Sequence, residues 1–481
     1  MAESLQKRTL KGMVWTSFDS FSKFGIRFII SLILARILSP SEFGQIGMLT
    51  VFITVSQSII VSGFSQALVR KKDRTQTDCS TVFYFNIVVS VIMYTILFFC
   101  APAIARFYEL PQLCQLLRVL GVVLIIDSCG VVQRALYTAA IDFKTIAKVA
   151  LSASIVAGIT SLVFAWNGFG VWSLVFQQIV FSICSIILLW YFSKWRPIWT
   201  YSWKSFREMF AFGSNLLISG LIDTIYKNMY TLVIGKVFSA ASLGQYTRSA
   251  YFANLPSHNL TLVLQRVSYP VLCDIQNEDA RLHKNYRLLI RMSSFFVFPT
   301  MCLMAALSYS LIEVAIGPKW HFASTLLIPM CFARMWYPVH VINLNLLKVK
   351  GRSDLFLRLE IYKKLLGVTM LAISIQFGLV FMCWSVIFNS IIALVINTHY
   401  TGKLINAGFL LQMRDLAPTL LLSLGIFAVV FIESIFIHNS VAHLLIGLLT
   451  GIGIYYAAVR WMGFTEYNYL MQIIKNRKNK K

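Results

Sequence analysis

Ala35-Arg36-Ile37-Leu38-Ser39-Pro40-Ser41-Glu42-Phe43-Gly44-Gln45 decides the reading of this chain, because its plan returns two hundred residues later. Gly235-Lys236-Val237-Phe238-Ser239-Ala240-Ala241-Ser242-Leu243-Gly244-Gln245 repeats a cation at Arg36 and Lys236, a serine at Ser39 and Ser239, and a closing Gly-Gln. Each copy joins one long apolar segment to the next. One short match between polar turns is a weak signal by itself, so the flanks matter. Asp142 follows the fourth apolar segment as Asp354 follows the tenth, and Phe169-Gly170 opens the sixth as Phe377-Gly378 opens the twelfth. Landmarks that keep their order at offsets of 200 to 212 residues describe two related halves. Many transporters are built so, with the substrate site between the halves.

Composition places those halves in a membrane. Of 481 residues, 58% are hydrophobic and 13% charged, and the mean hydropathy is +0.71. A soluble globular chain is about one quarter charged. Apolar runs near the roughly 20 residues a spanning helix needs recur throughout, and no stretch between them is long enough to fold alone. The fold class expected is an all-α integral membrane protein of about fourteen transmembrane helices. The spans centre near 13–36, 44–68, 82–105, 116–138, 147–166, 171–192, 208–234, 243–265, 291–312, 322–346, 360–377, 380–400, 415–436 and 442–460. Open sheet edges cannot be satisfied in lipid, and these runs are too long for barrel strands. Lys7, Arg8 and Lys11 lead into a run longer than a signal-peptide core with no small-residue cleavage site, so no cleavable signal is expected.

Charge orients the spans. The stretch before the first span, 70–74, 134–148, 194–207, 281–291, 348–364, 403–414 and the tail from Lys475 hold 31 of the 43 Lys and Arg. The connections on the other side hold five. By the positive-inside rule the rich side is cytoplasmic, which puts both termini inside and explains the net charge of +24 without nucleic acid. Trp190, Trp195, Trp199 and Trp203 flank the link between spans six and seven, where amphipathic rings favour the interface. That link reads as the seam between lobes 1–195 and 196–405, with 406–481 holding two further spans and a basic tail. The nine cysteines stand singly and read as small core residues.

Ionisable groups inside spans carry the functional signal, because each costs a few kcal/mol at mid-bilayer on insertion scales, roughly, unless it faces a cavity or a partner. Asp19, Lys23 and Arg27 share one helical face, and Asn215, Ser219, Asp223 and Lys227 share another. At the 200-residue offset Arg27 matches Lys227 and Lys23 matches Asp223. Arg248, Arg334 and Asp127 add charge on spans eight, ten and four. One reading of the stripes is internal pairing, Asp19 with Lys23 and Asp223 with Lys227, as glue between helices. The other is an anion site, because cations outnumber acids in these stripes and their neighbours. His340, Asn343 and Asn345 line a cavity or pack as polar core; Pro256, His258 and Asn259 suggest a kink. No GxxxxGK[ST] loop, HExxH, paired CxxC or nucleophile elbow occurs, so the chain is not read as an enzyme and no cofactor is expected.

Lys11-Gly12-x-x-Trp15 followed by Leu34 to Gly44 resembles the opening of the bacterial polysaccharide transporters, the O-antigen and exopolysaccharide flippases of the multidrug/oligosaccharidyl-lipid/polysaccharide exporter superfamily. Asp142-Phe143-Lys144, Gly168-x-Gly170-Val171-Trp172-x-Leu174, Ile234-Gly235-Lys236, Leu243-Gly244-Gln245-Tyr246 and Gly317-Pro318-Lys319-Trp320 extend the resemblance over residues 8–325. It implies two pseudo-symmetric six-helix lobes in a V, rocking between inward- and outward-open states, with two additional C-terminal helices as in the lipid II branch. It implies a substrate too: an undecaprenyl-pyrophosphate-linked oligosaccharide, moved from the cytoplasmic to the outer leaflet of the bacterial cell membrane. The cationic cavity of the family falls on Lys23, Arg27, Lys227 and Arg248, with Asp223 and Arg334 beside them, and Tyr226, Tyr230 and Tyr246 are placed to stack on sugars. The resemblance leaves H+ or Na+ coupling open, and leaves room for contacts with other polysaccharide-assembly proteins besides membrane lipid. A cation-coupled drug exporter of the same fold is the alternative; it would want a net acidic site. A membrane-embedded polymerase or glycosyltransferase would need catalytic carboxylates and a long outer loop, and neither is present.

Overall fold

A computed structural model describes residues 25–478, apart from 27 and 62, and every regular element among them is helical. The stretch holding Asp19, Lys23 and Arg27 therefore lies outside the described residues. The helices are α1 (Phe28–Ile37), α2 (Pro40–Val61), α3 (Phe64–Arg70), α4 (Gln76–Phe107), α5 (Gln112–Ser128), α6 (Val131–Ala139), α7 (Phe143–Trp166), α8 (Trp172–Phe192), α9 (Trp203–Val237) and α10 (Ala240–Asp274). After them come α11 (Asp279–Ala306), α12 (Ser308–Ile316), α13 (His321–Arg334), α14 (Tyr337–Val349), α15 (Ser353–Ser374), α16 (Leu379–Ile405), α17 (Phe409–Phe436), α18 (Ser440–Trp461) and α19 (Thr465–Lys478).

Among the described residues nine helical segments are long and apolar enough to cross a membrane, and eleven are when the bent pairs α5–α6 and the two parts of α9, each bent by 43°, count as one span apiece. This is a multi-span membrane protein. The count falls short of fourteen at α1, α10 and α15, and the reasons are compositional. Only ten residues of α1 are described. Arg248, His258, Asn259 and Arg266 interrupt α10, while Asp354, Arg358, Glu360, Lys363 and Lys364 interrupt α15. Helices of that kind satisfy the length of a span but not its apolarity, which is what a polar lining produces.

The chain divides into two compact units, Met1–Gly244 and Gln245–Lys481. The expected lobe boundary at 195/196 concerns which helices move together in transport, a different division from that into compact units. In the first unit α7 pairs with α8, α4 with α5, and α2 with α9. The two copies of the repeated stretch lie here and meet each other. A Cβ on Gly44 would stand 1.7 Å from the carbonyl oxygen of Ala240, and a Cβ on Gly244 would stand 1.8 Å from that of Pro40. Residues 40 and 44 of one copy thus face 244 and 240 of the other, each to its counterpart's partner.

Local chemistry explains why both copies start a helix at this point. Ser39 Oγ accepts from the Glu42 amide at 3.4 Å, while Glu42 takes up the Ser39 amide at 2.6 Å, a capping box. In the second copy Ser239 Oγ accepts from the Ser242 amide at 3.1 Å and donates to Ser242 Oγ at 3.0 Å. The repeated cation Lys236 binds Glu109 at 2.9 Å, and this contact holds the exposed Glu109 carboxyl below its ordinary range. Gly170 and Gly378 both sit at positive φ, 55° and 90°, where each apolar segment restarts. Asp142 caps α7 by accepting from the Thr145 amide at 3.1 Å. Asp354 differs: it lies inside the first turn of α15 and takes a bidentate contact from Arg352 at 2.9 and 2.8 Å.

In the second unit α11 packs on α17, α13 on α16, and α17 on α18. A buried polar knot joins four of these helices. Tyr286 of α11 donates to Asn343 of α14 at 2.8 Å, and Gln412 of α17 donates to the Tyr286 hydroxyl, to Asn343 Oδ1 and to Thr401 of α16, each at 3.1 Å. Arg287 closes a fork on Asp415 at 2.7 and 2.6 Å, and Arg291 reaches Glu466 at 3.2 Å. The C-terminal helices are thereby fastened to α11. They do not hang from it.

The glycine crossing predicts a sharp position dependence. Gly44→Ala and Gly244→Ala push a methyl into a backbone carbonyl that cannot rotate away, and each should lower stability by about 1–3 kcal/mol. Gly453→Ala, whose Cβ meets nothing within 4 Å, should be neutral or stabilising because alanine is the better helix former. Thermal unfolding of the detergent-solubilised protein measures both. Equal midpoints for all three variants would remove the crossing as a packing constraint.

Candidate functional site

Among the described residues, two of the sequence-predicted site residues form an ion pair. Lys227 Nζ stands 2.6 Å from Asp223 Oδ2, one helical turn back on α9. Their side chains are 70% and 42% exposed. The Asp223–Lys227 pairing that the sequence offered is therefore present, between two residues of the one helix α9. An ammonium on a span exposed to that degree requires water or a polar partner beside it, because hydrocarbon would not tolerate it. Ser219, one turn before Asp223, is exposed as well, so the polar stripe runs along an open face. Lys23 and Arg27, its counterparts in the first half, lie outside the described residues.

Arg248 and Arg334 belong to the second unit, on helices bolted together. Gln245 Nε2 donates to the Lys319 carbonyl at 2.9 Å and its Oε1 accepts from the Ala323 amide at 3.0 Å. Ser249 Oγ donates to the Ala323 carbonyl and Ser257 Oγ to the Arg334 carbonyl, both at 2.7 Å. Gln245, Ser249 and Ser257 fall on one face of α10, which fixes that face against α13. Arg248 is half-buried, its guanidinium 5.5 Å from the centre of the Tyr251 ring. Arg334 is exposed at the break between α13 and α14. None of the ion pairs among the described residues includes it.

Other polar residues resolve as packing. His340 contacts Ser390 at 2.9 Å and Asn397 at 3.1 Å, and Asn343 sits in the buried knot. Asp127, at the end of α5, accepts from Gln57 of α2 at 3.1 Å and faces Arg134 of α6 at 3.7 Å, across the bend between α5 and α6. A cavity of about 140 Å³ opens beside them. Sequence reasoning noted Asp127 but missed Gln57 and Arg134, since the bend that joins them leaves no periodic signal. In the second unit an apolar cavity of about 470 Å³ lies between α11, α17 and α18, lined by Phe296, Pro299, Leu303, Ile426, Leu448 and Tyr455 among others. It too was not foreseen.

The family described as "Polysaccharide biosynthesis protein" matches residues 33–325. The teichuronic acid biosynthesis protein TuaB of Bacillus subtilis (strain 168) is 24% identical over 354 residues, 73% of this chain and 73% of that one. The lipopolysaccharide biosynthesis protein WzxC of Escherichia coli (strain K12) is 23% identical over 379 residues, 78% of this chain and 76% of that one. Among solved structures, the lipid II flippase MurJ in its inward closed conformation superposes with a TM-score of 0.76 at 15% identity, covering 95% of this chain and 100% of that one. At such identity the superposition establishes the fold.

The exposed pair makes a prediction of its own. A solvated ion pair contributes about 0–1 kcal/mol, so Asp223→Asn combined with Lys227→Gln should leave the unfolding midpoint of the purified protein within that margin. A loss of several kcal/mol would mean that the pair holds the fold together.

Proposed function

The chain belongs to the polysaccharide biosynthesis protein family, and on that premise we propose that it is a flippase for a polyprenyl-pyrophosphate-linked oligosaccharide, carrying the sugar head from the cytoplasmic to the outer leaflet by alternating access. The observation that carries the reading is Lys227: a cation on a span-length helix with most of its side chain exposed, held by a carboxylate on the same helix. A pyrophosphate entering such a site competes with Asp223 for Lys227. Lysine serves here as a point charge, while arginines such as Arg248 and Arg334 can grip two oxygens at once. Lys23 and Arg27 would complete the set from the first half. The relatives named for teichuronic acid and lipopolysaccharide biosynthesis, and the fold shared with a lipid II flippase, support this substrate class.

The physical task fits the two kinds of surface. A sugar head and its phosphates cannot cross hydrocarbon and need a hydrated polar face, which the α9 stripe supplies. The isoprenoid tail needs an apolar one, and the lipid around the spans is such a surface. Transport in this reading divides the chain at 195/196 into lobes that rock, keeps the basic-rich side and both termini cytoplasmic, and places the protein in the bacterial cell membrane. No group arranged for bond cleavage enters it.

Complementation of a strain that has lost this gene tests the reading. Lys227→Ala and Arg248→Ala should each reduce surface polysaccharide by about ten- to hundredfold at normal protein level, the scale of a lost hydrogen bond to a charged group. Arg248→Lys should keep part of the activity, and Arg27→Ala should behave as Lys227→Ala does. Full export with both Lys227 and Arg248 replaced by alanine would overturn the site.

A further inference from the structure

The link between α8 and α9, residues 193–202, has no helix of its own and yet is tied down along its length. Its Ile198 amide donates to Ser80 Oγ at 3.0 Å, and the Ser202 amide donates to Thr81 Oγ1 at 3.1 Å. Gln76 donates to the Arg196 carbonyl. The Arg196 guanidinium turns back on the strap, donating to the carbonyls of Ser193 at 2.6 Å and Trp190 at 3.0 Å. Trp190 and Trp195 pack edge-on against Phe83. The whole segment is clipped to the first turns of α4.

What the strap turns outward is a mixture of rings and cations. Trp199 is 94% exposed, Trp203 64% and Tyr201 50%. Trp199 stacks on Tyr84 at 5.5 Å and Trp203 on Phe206 at 5.1 Å, so both rings are held in place. Lys194, Lys204 and Arg207 are exposed, and no ion pair among the described residues includes any of them. Glu208, the nearest carboxylate in sequence, is taken by Lys71 at 3.2 Å. The strap joins the ends of two span-length helices, α8 and α9, and so lies at the membrane boundary, on the basic-rich side.

We propose that residues 193–207 form a docking surface for anionic phospholipid headgroups, with Trp199, Tyr201 and Trp203 seated in the interface and Lys194, Lys204 and Arg207 taking the phosphates. Rings of this kind favour the headgroup level, where one edge is apolar and the other wet. Cations within a Debye length of an anionic leaflet are attracted to it. The clips matter because they prevent the rings from folding back when no lipid is present. This surface is independent of the transport site, and its test does not require transport.

The full chain is placed in nanodiscs of mixed phosphatidylglycerol and phosphatidylcholine, with bromine on the acyl chains of one lipid or the other. Quenching assigned to Trp199, as the difference from Trp199→Phe, should be stronger when phosphatidylglycerol carries the bromine. Combining K194Q, K204Q and R207Q should erase that preference, by about fivefold in lipid selectivity per cation removed, with an unchanged unfolding midpoint as the folding control. Equal quenching by the two lipids overturns the proposal. So does a preference that survives the triple substitution, or capture of a soluble acidic protein by the strap in place of lipid.

Discussion

Everything in the first unit depends on two glycines that let backbone meet backbone. Gly44 and Gly244 each accept a carbonyl oxygen where any other residue would carry Cβ, at 1.7 and 1.8 Å. Small residues are what allow helices to approach closely in a membrane, where apolar surface alone gives no preference for protein over lipid. Because the contact is reciprocal, it also records the internal repeat. Each copy brings a serine cap, a helix start and a glycine one turn later, and each glycine receives the other copy's helix start.

The repeat was legible because it is made of local signals: Ser39 and Ser239 as caps, Gly170 and Gly378 as restarts. These act within a few residues of themselves, so they survive in the sequence as spacing. Asp142 and Asp354 show where such correspondence ends. The first caps its helix and the second pairs with Arg352, since the cation two residues ahead captures it. The span count was less legible. The apolar run at 360–377 reads as a span, yet α15 as a whole, Ser353–Ser374, has the length of one without its apolarity, because charges crowd its first half.

Charge in the spans was easy to find and hard to assign. Spacing placed Asp223 and Lys227 on one face of α9, and the structure pairs them, but exposure separates a solvated pair from a buried one and sequence carries no measure of it. The reverse holds for Gln412. Nothing about a glutamine near the start of an apolar run announces the centre of a buried knot. Its role comes from Tyr286, Asn343 and Thr401, which lie between 11 and 126 residues away. Buried polar networks are satisfied by partners from distant elements, so they become visible only once the helices are packed.

The strap is fastened at the place where the sequence expects the seam between the lobes. A boundary at 195/196 falls inside a segment whose amides are bound to Ser80 and Thr81 and whose arginine is folded onto its own carbonyls. Each such bond contributes about 1 kcal/mol, so freeing the strap in every cycle would cost several bonds at once. The bend in α9, 43° between Trp203–Ser214 and Leu216–Val237, lies beyond the strap and includes none of those bonds.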